Sequence, residues 1–165
     1  MKSDITLSMI VKDEEERLEA CLASVAEYVD EIIVVDTGST DNTVWIARQF
    51  GARIIQVPWE NDFAKARNVG LEQATKRWVL CLDADERLMP VPSGYLSYLI
   101  TQEDVHGYYV RIKSFIGQSS DGEYMTDETC RLFRNDRPFA SHARFTSRLS
   151  PPCLQFPAQL CSVRS

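Results

Sequence analysis

No Cys-x-x-Cys pair occurs in the 165 residues, and there are only two histidines, His106 and His142. Thiolate and imidazole metal sites need clustered ligands, so zinc-ribbon and histidine-based metal chemistry are both excluded. The five cysteines (Cys21, Cys81, Cys130, Cys153, Cys161) are scattered and read as reduced, mostly buried thiols. Glycine-rich phosphate loops are missing as well: neither G-x-G-x-x-G nor G-x-x-x-x-G-K-[ST] is found. Any nucleotide phosphates would therefore fall to a metal and to basic side chains. There is no G-x-S-x-G elbow and no histidine-bearing triad for nucleophilic hydrolysis. No apolar run approaches the roughly 18 residues of a spanning helix, and the N-terminus has no secretory h-region, so a cytoplasmic location is the default expectation. A net charge of −6 argues against nucleic acid or an anionic membrane as the main partner.

What is present suits one soluble domain. The apolar fraction of 44% and charged fraction of 25% are those of an ordinary globular chain long enough to bury a core. Ile5 to Val11, Ile32 to Val35, Ala52 to Val57 and Val79 to Leu82 read as strands, the second and fourth apolar on both faces. Helical stretches separate them. The first, opened by Asp13-Glu-Glu-Glu16, carries a stripe of Leu18, Cys21, Leu22, Val25 and Val29. The second follows N-cap candidates Ser39, Thr40 and Asp41 and runs to Phe50, with Gly51 as its C-terminal cap. The third runs from about Asp62 to Thr75, with small faces at Ala64, Ala66, Gly70 and Ala74. Alternation of this kind predicts an α/β fold, an open, largely parallel sheet with helices on both faces. Beyond Pro90 and Pro92, a helix over Tyr95–Ile100 and strands over His106–Phe115 and Cys130–Arg134 are expected.

The chemistry gathers where strands end. Asp83, Asp85 and Glu86 follow the fourth strand, Asp36 the second, and Asp13 to Glu15 the first. In a parallel sheet those ends share one edge, the edge where open α/β sheets place their ligand crevice. Two carboxylates one residue apart can share Mg²⁺ or Mn²⁺, which in turn grips phosphate oxygens. Arg67 is the best basic candidate to face those phosphates.

Four motifs in this order resemble the family 2 inverting glycosyltransferases of GT-A fold. They are Met9-Ile-Val-Lys-Asp-Glu-Glu15, Val34-Val-Asp-Thr-Gly-Ser-Thr-Asp-Asn-Thr43, Phe63-Ala-Lys-Ala-Arg-Asn68 and Leu82-Asp-Ala-Asp-Glu86. The nearest likeness is to a bacterial subgroup of lipopolysaccharide-core glucosyltransferases and transferases fused to helical repeats. The resemblance implies a nucleotide-sugar donor, UDP-linked, and an acceptor that is a glycan, a lipid-linked sugar or a protein. It implies that Val11 and Glu14 line the base and ribose end, that Asp36 holds the uracil or ribose, and that Arg67 faces the phosphates. Asp83 would reach the ribose or the metal, and Asp85 would bind the metal directly.

Two departures stand out. Asp13 occupies a position where the subgroup usually has Asn. Members also continue Arg131-Leu-Phe-Arg-Asn135 into a segment ending in His-Glu, whereas His142 here is followed by Ala143. All 24 acidic residues lie at or before Asp136, and the rest of the chain holds four of the seven prolines. Residues 138–165 are accordingly expected to be a poorly ordered tail, a truncated or frame-shifted end to a domain of residues 1–137. Within that domain, residues 4–90 would form the nucleotide-sugar half and 91–137 a partial acceptor half. Asp127 and Glu128 are the nearby acids left as candidates for the catalytic base. A non-catalytic remnant of the same fold is the alternative reading. A dehalogenase-type phosphatase is disfavoured by Arg87 after the acidic pair, and a nucleotidyltransferase by the acidic segment after the first strand.

Overall fold

A computed structural model describes residues 3–116, 124–135 and 153–164. Strand β1 (Ile5–Val11) lies at the centre of the parallel half, between β2 (Glu31–Asp36) and β4 (Trp78–Cys81), with β3 (Arg53–Gln56) outside β2. Strand β1 alternates. Ile5, Leu7, Met9 and Val11 enter the main core with Leu18, Cys21, Leu22 and Val25 of α1 (Leu18–Val25) and Ala47 of α2 (Thr43–Gln49). The opposite face meets α3 (Phe63–Gln73), where Gly70 packs on Ser8 and Val35. Helices therefore cover both faces, as expected. The chain adds strands outward from β1 to β3 and then returns to the other side of β1 as β4, so a topological switch point falls between β1 and β4.

The second half closes the sheet with mixed pairing. The sheet order is β3-β2-β1-β4-β7-β6-β8-β5, where β5 is Glu86–Leu88, β6 Gly107–Ile116, β7 Tyr124–Arg134 and β8 Cys153–Arg164. Strand β7 runs antiparallel to both β4 and β6. Helix α4 (Tyr95–Ile100) sends Leu96 and Leu99 into the same core as β1 and β4, so both halves share one interior. Trp78 joins them: its indole N–H donates to the Ile100 carbonyl at 3.1 Å, and its ring stacks on Tyr108 at 5.6 Å.

Three expectations are corrected. Helix α1 starts at Leu18 rather than in the acidic run, because Asp13 adopts φ 52° and Asp13 to Glu15 bond a neighbouring loop instead. Val29 leaves the helical stripe after a 3₁₀ turn at Ala26–Tyr28 and is extended. In the tail, Cys153–Arg164 forms a strand rather than unstructured chain, because β6 offers a second edge and pairs with it in parallel. The pairing skips from Phe156 to Gln159, a bulge that accommodates Pro157, which has no N–H to give. Residues 138–152, with His142, lie outside the described residues.

Candidate active site

Two loops at the carboxyl edge are laced together. The Asp13 N–H donates to Ser39 Oγ at 2.9 Å, and Asp13 Oδ1 accepts the Thr40 N–H at 2.7 Å. The Glu14 N–H donates to Thr43 Oγ1 at 2.7 Å, and Glu15 accepts the Asn42 N–H at 3.0 Å. Asp13 sits in the left-handed region that Asn and Asp tolerate best, which explains why either short polar residue serves there. Val11 ends β1 with its side chain in the core and its carbonyl accepting from Thr37. Asp36 is 1% exposed. One oxygen accepts the Ser39 N–H at 3.0 Å, and the other has a long 3.5 Å contact to Gln56.

The turn after β4 is an ion network. Asp83 Oδ1 accepts from Arg67 Nη2 at 2.9 Å, and Oδ2 accepts from Arg131 Nη2 at 3.0 Å. Asp62 caps α3 by accepting the Lys65 N–H, which places Arg67 in the helix's second turn. Glu86 folds back under the turn: its carboxylate accepts the Asp83 N–H at 2.9 Å and pairs with Arg131. Burial pushes the Glu86 carboxyl above its ordinary value, against the pull of Arg131 and the Asp83 N–H. Cys21 donates its thiol to the Asp83 carbonyl at 3.5 Å. Burial drives that thiol up to about 12 and the Cys81 thiol to about 11, so both are inert at neutral pH.

Asp85 differs from its neighbours. It is half-buried and carries no hydrogen bond or ion pair among the described residues. Asp83 and Glu86 are offset by Arg67 and Arg131, which leaves the Asp85 charge uncompensated. Burial, partly countered by Arg17, raises the Glu14 carboxyl, and Asp85 adds to the rise across the crevice. The first and fourth strand ends thus converge electrostatically. Among the described residues no cluster of three or more His, Cys, Asp or Glu stands ready to enclose a metal. A free carboxylate beside a clamped one fits Mg²⁺ or Mn²⁺, which accept one or two protein carboxylates and fill the remaining positions with phosphate and water.

Asp127 and Glu128 are not drawn into this network. Both are exposed on β7, where it runs past the end of β4. Asp127 caps the Glu128 N–H at 2.8 Å, and Glu128 pairs with Arg111 at 3.4 Å. Two residues that sequence reading gave no role, Glu86 and Arg131, prove central. The available signal was an arginine inside the apolar run Cys130 to Phe133, since a charge buried in a strand needs a partner.

A parallel half-sheet that switches direction at an acidic turn and is completed by antiparallel strands is the GT-A class of glycosyltransferase fold. Solved structures agree. Glucosyl-3-phosphoglycerate synthase from Mycobacterium tuberculosis, in complex with Mn²⁺, UDP and glucosyl-3-phosphoglycerate, matches with TM-score 0.50 and 28% identity, over 67% of this chain and 43% of its own. Staphylococcus aureus TarS matches with TM-score 0.56 and 25% identity, over 72% and 23%. The glycosyl transferase family 2 model matches residues 6–152, and the chain belongs to that family. A TPR repeat-containing protein of Synechococcus elongatus is 40% identical over 133 residues, covering 81% of this chain and 32% of its own. The SPbeta prophage-derived glycosyltransferase SunS of Bacillus subtilis is 32% identical over 148 residues, covering 87% and 35%. The chain thus spans about a third of the length of these relatives. Among the described residues, no helix is long and apolar enough to cross a membrane.

Proposed function

We propose that the chain moves a sugar from a UDP-sugar to an acceptor with inversion at the anomeric carbon, assisted by Mg²⁺ or Mn²⁺. The observation that carries this reading is the free Asp85 carboxylate beside Asp83, at the switch point between β1 and β4. Asp85, with Asp83 next to it, would hold the ion, which supplies charge neutralisation for the departing diphosphate. Arg67, oriented by Asp83, faces the same phosphates. Glu14, Asp36 and the end of β1 at Val11 form the nucleoside end. The acceptor's lone pair forms the new glycosidic bond as the bond to the diphosphate breaks, and its proton passes to a base. Asp127 and Glu128 lie on the strand that overhangs this edge and are the residues assigned to that proton.

The Mn²⁺ and UDP in the mycobacterial neighbour support the cofactor and the carrier. The TPR-bearing relative supports a place among the repeat-fused members of the family. The test is calorimetric titration of UDP with and without Mn²⁺, repeated on Asp85→Ala. Mn²⁺-dependent binding that disappears in the variant, at an unchanged melting temperature, is expected, because Asp85 has no partner to lose among the described residues. Equal UDP binding by Asp85→Ala would overturn the reading.

A further inference from the structure

We infer that Arg131 and Glu86 are positioning residues for the metal-binding turn, and that a β-bulge in β7 exists to aim Arg131 at it. The inference rests on the reading of the site given above.

The ladder between β6 and β7 pairs Tyr108 with Leu132 but Tyr109 with Cys130, leaving Arg131 as the extra residue. Strict alternation would send Cys130 and Phe133 to opposite faces, yet both pack in one cluster with Val79 and Cys81. The bulge makes that possible and frees Arg131 from the plain in-and-out pattern, which is how bulges re-aim side chains beside sites. The Arg131 side chain is 7% exposed, and its Nη2 bridges Asp83 Oδ2 and Glu86 Oε1. Glu86, 4% exposed, closes the turn from within. Its carboxylate takes the Asp83 N–H, and its own N–H donates to the Asp83 carbonyl at 3.0 Å.

A buried ion pair is a poor source of stability, because desolvation offsets most of the attraction. Among the described residues this one also leaves Arg131 Nε buried without an acceptor, a cost that packing alone does not explain. What the pair supplies is geometry. Asp83 is pinned from two sides, the four-residue turn is closed, and the free carboxylate of Asp85 is held at a fixed place within it. Groups of this kind behind metal ligands control affinity without touching the metal.

The experiment measures Mn²⁺ affinity by calorimetry and the Mn²⁺ resonance signal in the full chain, with melting temperature recorded alongside. Glu86→Gln/Arg131→Met replaces both charges by neutral groups of similar volume, so no lone buried charge remains. Arg131→Lys keeps the charge but loses the planar fork. Both should lower Mn²⁺ affinity by about 10- to 100-fold while the chain stays folded, with the lysine variant the less affected. If the double variant melts below the assay temperature, Arg131→Lys decides on the same readout. A folded variant with wild-type Mn²⁺ affinity, when Asp85→Ala has lost it, overturns the positioning role and leaves the proposed function standing. Wild-type Mn²⁺ affinity in Asp85→Ala itself overturns both.

Discussion

Arg67 Nη2 and Asp83 Oδ1 meet at 2.9 Å, tying the second turn of α3 to the acidic turn after β4. The contact sets one arginine beside the crevice and holds one of the acids that line it. Asp83 is 42% exposed and Arg67 19%, so the pair is reachable by a ligand and is screened by water.

Arg67→Ala should therefore weaken ligand binding far more than folding. UDP affinity in the presence of Mn²⁺ should fall roughly 10- to 100-fold, the scale of a lost hydrogen bond to a charged group. Unfolding free energy should change by no more than about 1 kcal/mol, as for other partly exposed ion pairs. Calorimetry and urea denaturation on one preparation check both numbers. A large stability loss with UDP affinity intact would assign Arg67 to the scaffold alone.

Gly70 carries the closest approach between α3 and the sheet. A Cβ there would stand 2.5 Å from Ser8 Oγ and 3.1 Å from Val35 Cγ2, both on central strands. Gly70→Ala should destabilise the chain, because overpacking of about 1–3 kcal/mol exceeds the roughly 1 kcal/mol that alanine returns in helix propensity. Adding Ser8→Ala should recover part of the loss, since it removes the nearer atom and leaves Val35. Urea midpoints for the single and double variants read this directly. A single variant as stable as the parent would show that the helix can lift off at no cost.

Glu31 ties the start of β2 to the chain before β4. Burial alone would raise its carboxyl, but hydrogen bonds from Thr6 and from the Thr75 N–H and hydroxyl outweigh it and hold the value below the ordinary 4.5. A depressed folded value means that this stabilisation is present above about 4.5 and is lost as pH falls through the lower folded value. Glu31→Gln should lower the melting temperature at neutral pH and flatten its decline in acid. Melting curves across the acidic range test the sign: a variant that declines as steeply as the parent would remove Glu31 from the acid transition.

Much of the parallel half of the sheet was legible because local signals agreed with the fold. Strands β1, β2 and β4 were readable as apolar runs stopped by acids, β3 as a short run ahead of Pro58, and Asp62 as the cap that opens α3. Gly70 was readable as a small face for close packing. Glu14, Asp36, Asp83 and Asp85 were placed on one edge by strand order alone. The start of α1 was misread because an acidic run ahead of an amphipathic stripe looks like a first helical turn. Here Asp13 and Glu15 instead bond Ser39 to Asn42, residues more than twenty positions away. Strands β5 and β8 carry no periodic signature strong enough to read. They exist because an edge of the sheet was available to each.

Sequence by itself determined the family, the parallel half-sheet and the acids at its carboxyl edge, since strand period and helix period are properties of consecutive residues. Tertiary structure alone decided which of those acids is free. The pairing of Asp83 with Arg67 and Arg131, and of Glu86 with Arg131, spans up to 48 positions and turns on a bulge that no local pattern announces. Charge compensation depends on distance in space, and only the folded chain brings two arginines to Asp83 and, among the described residues, none to Asp85.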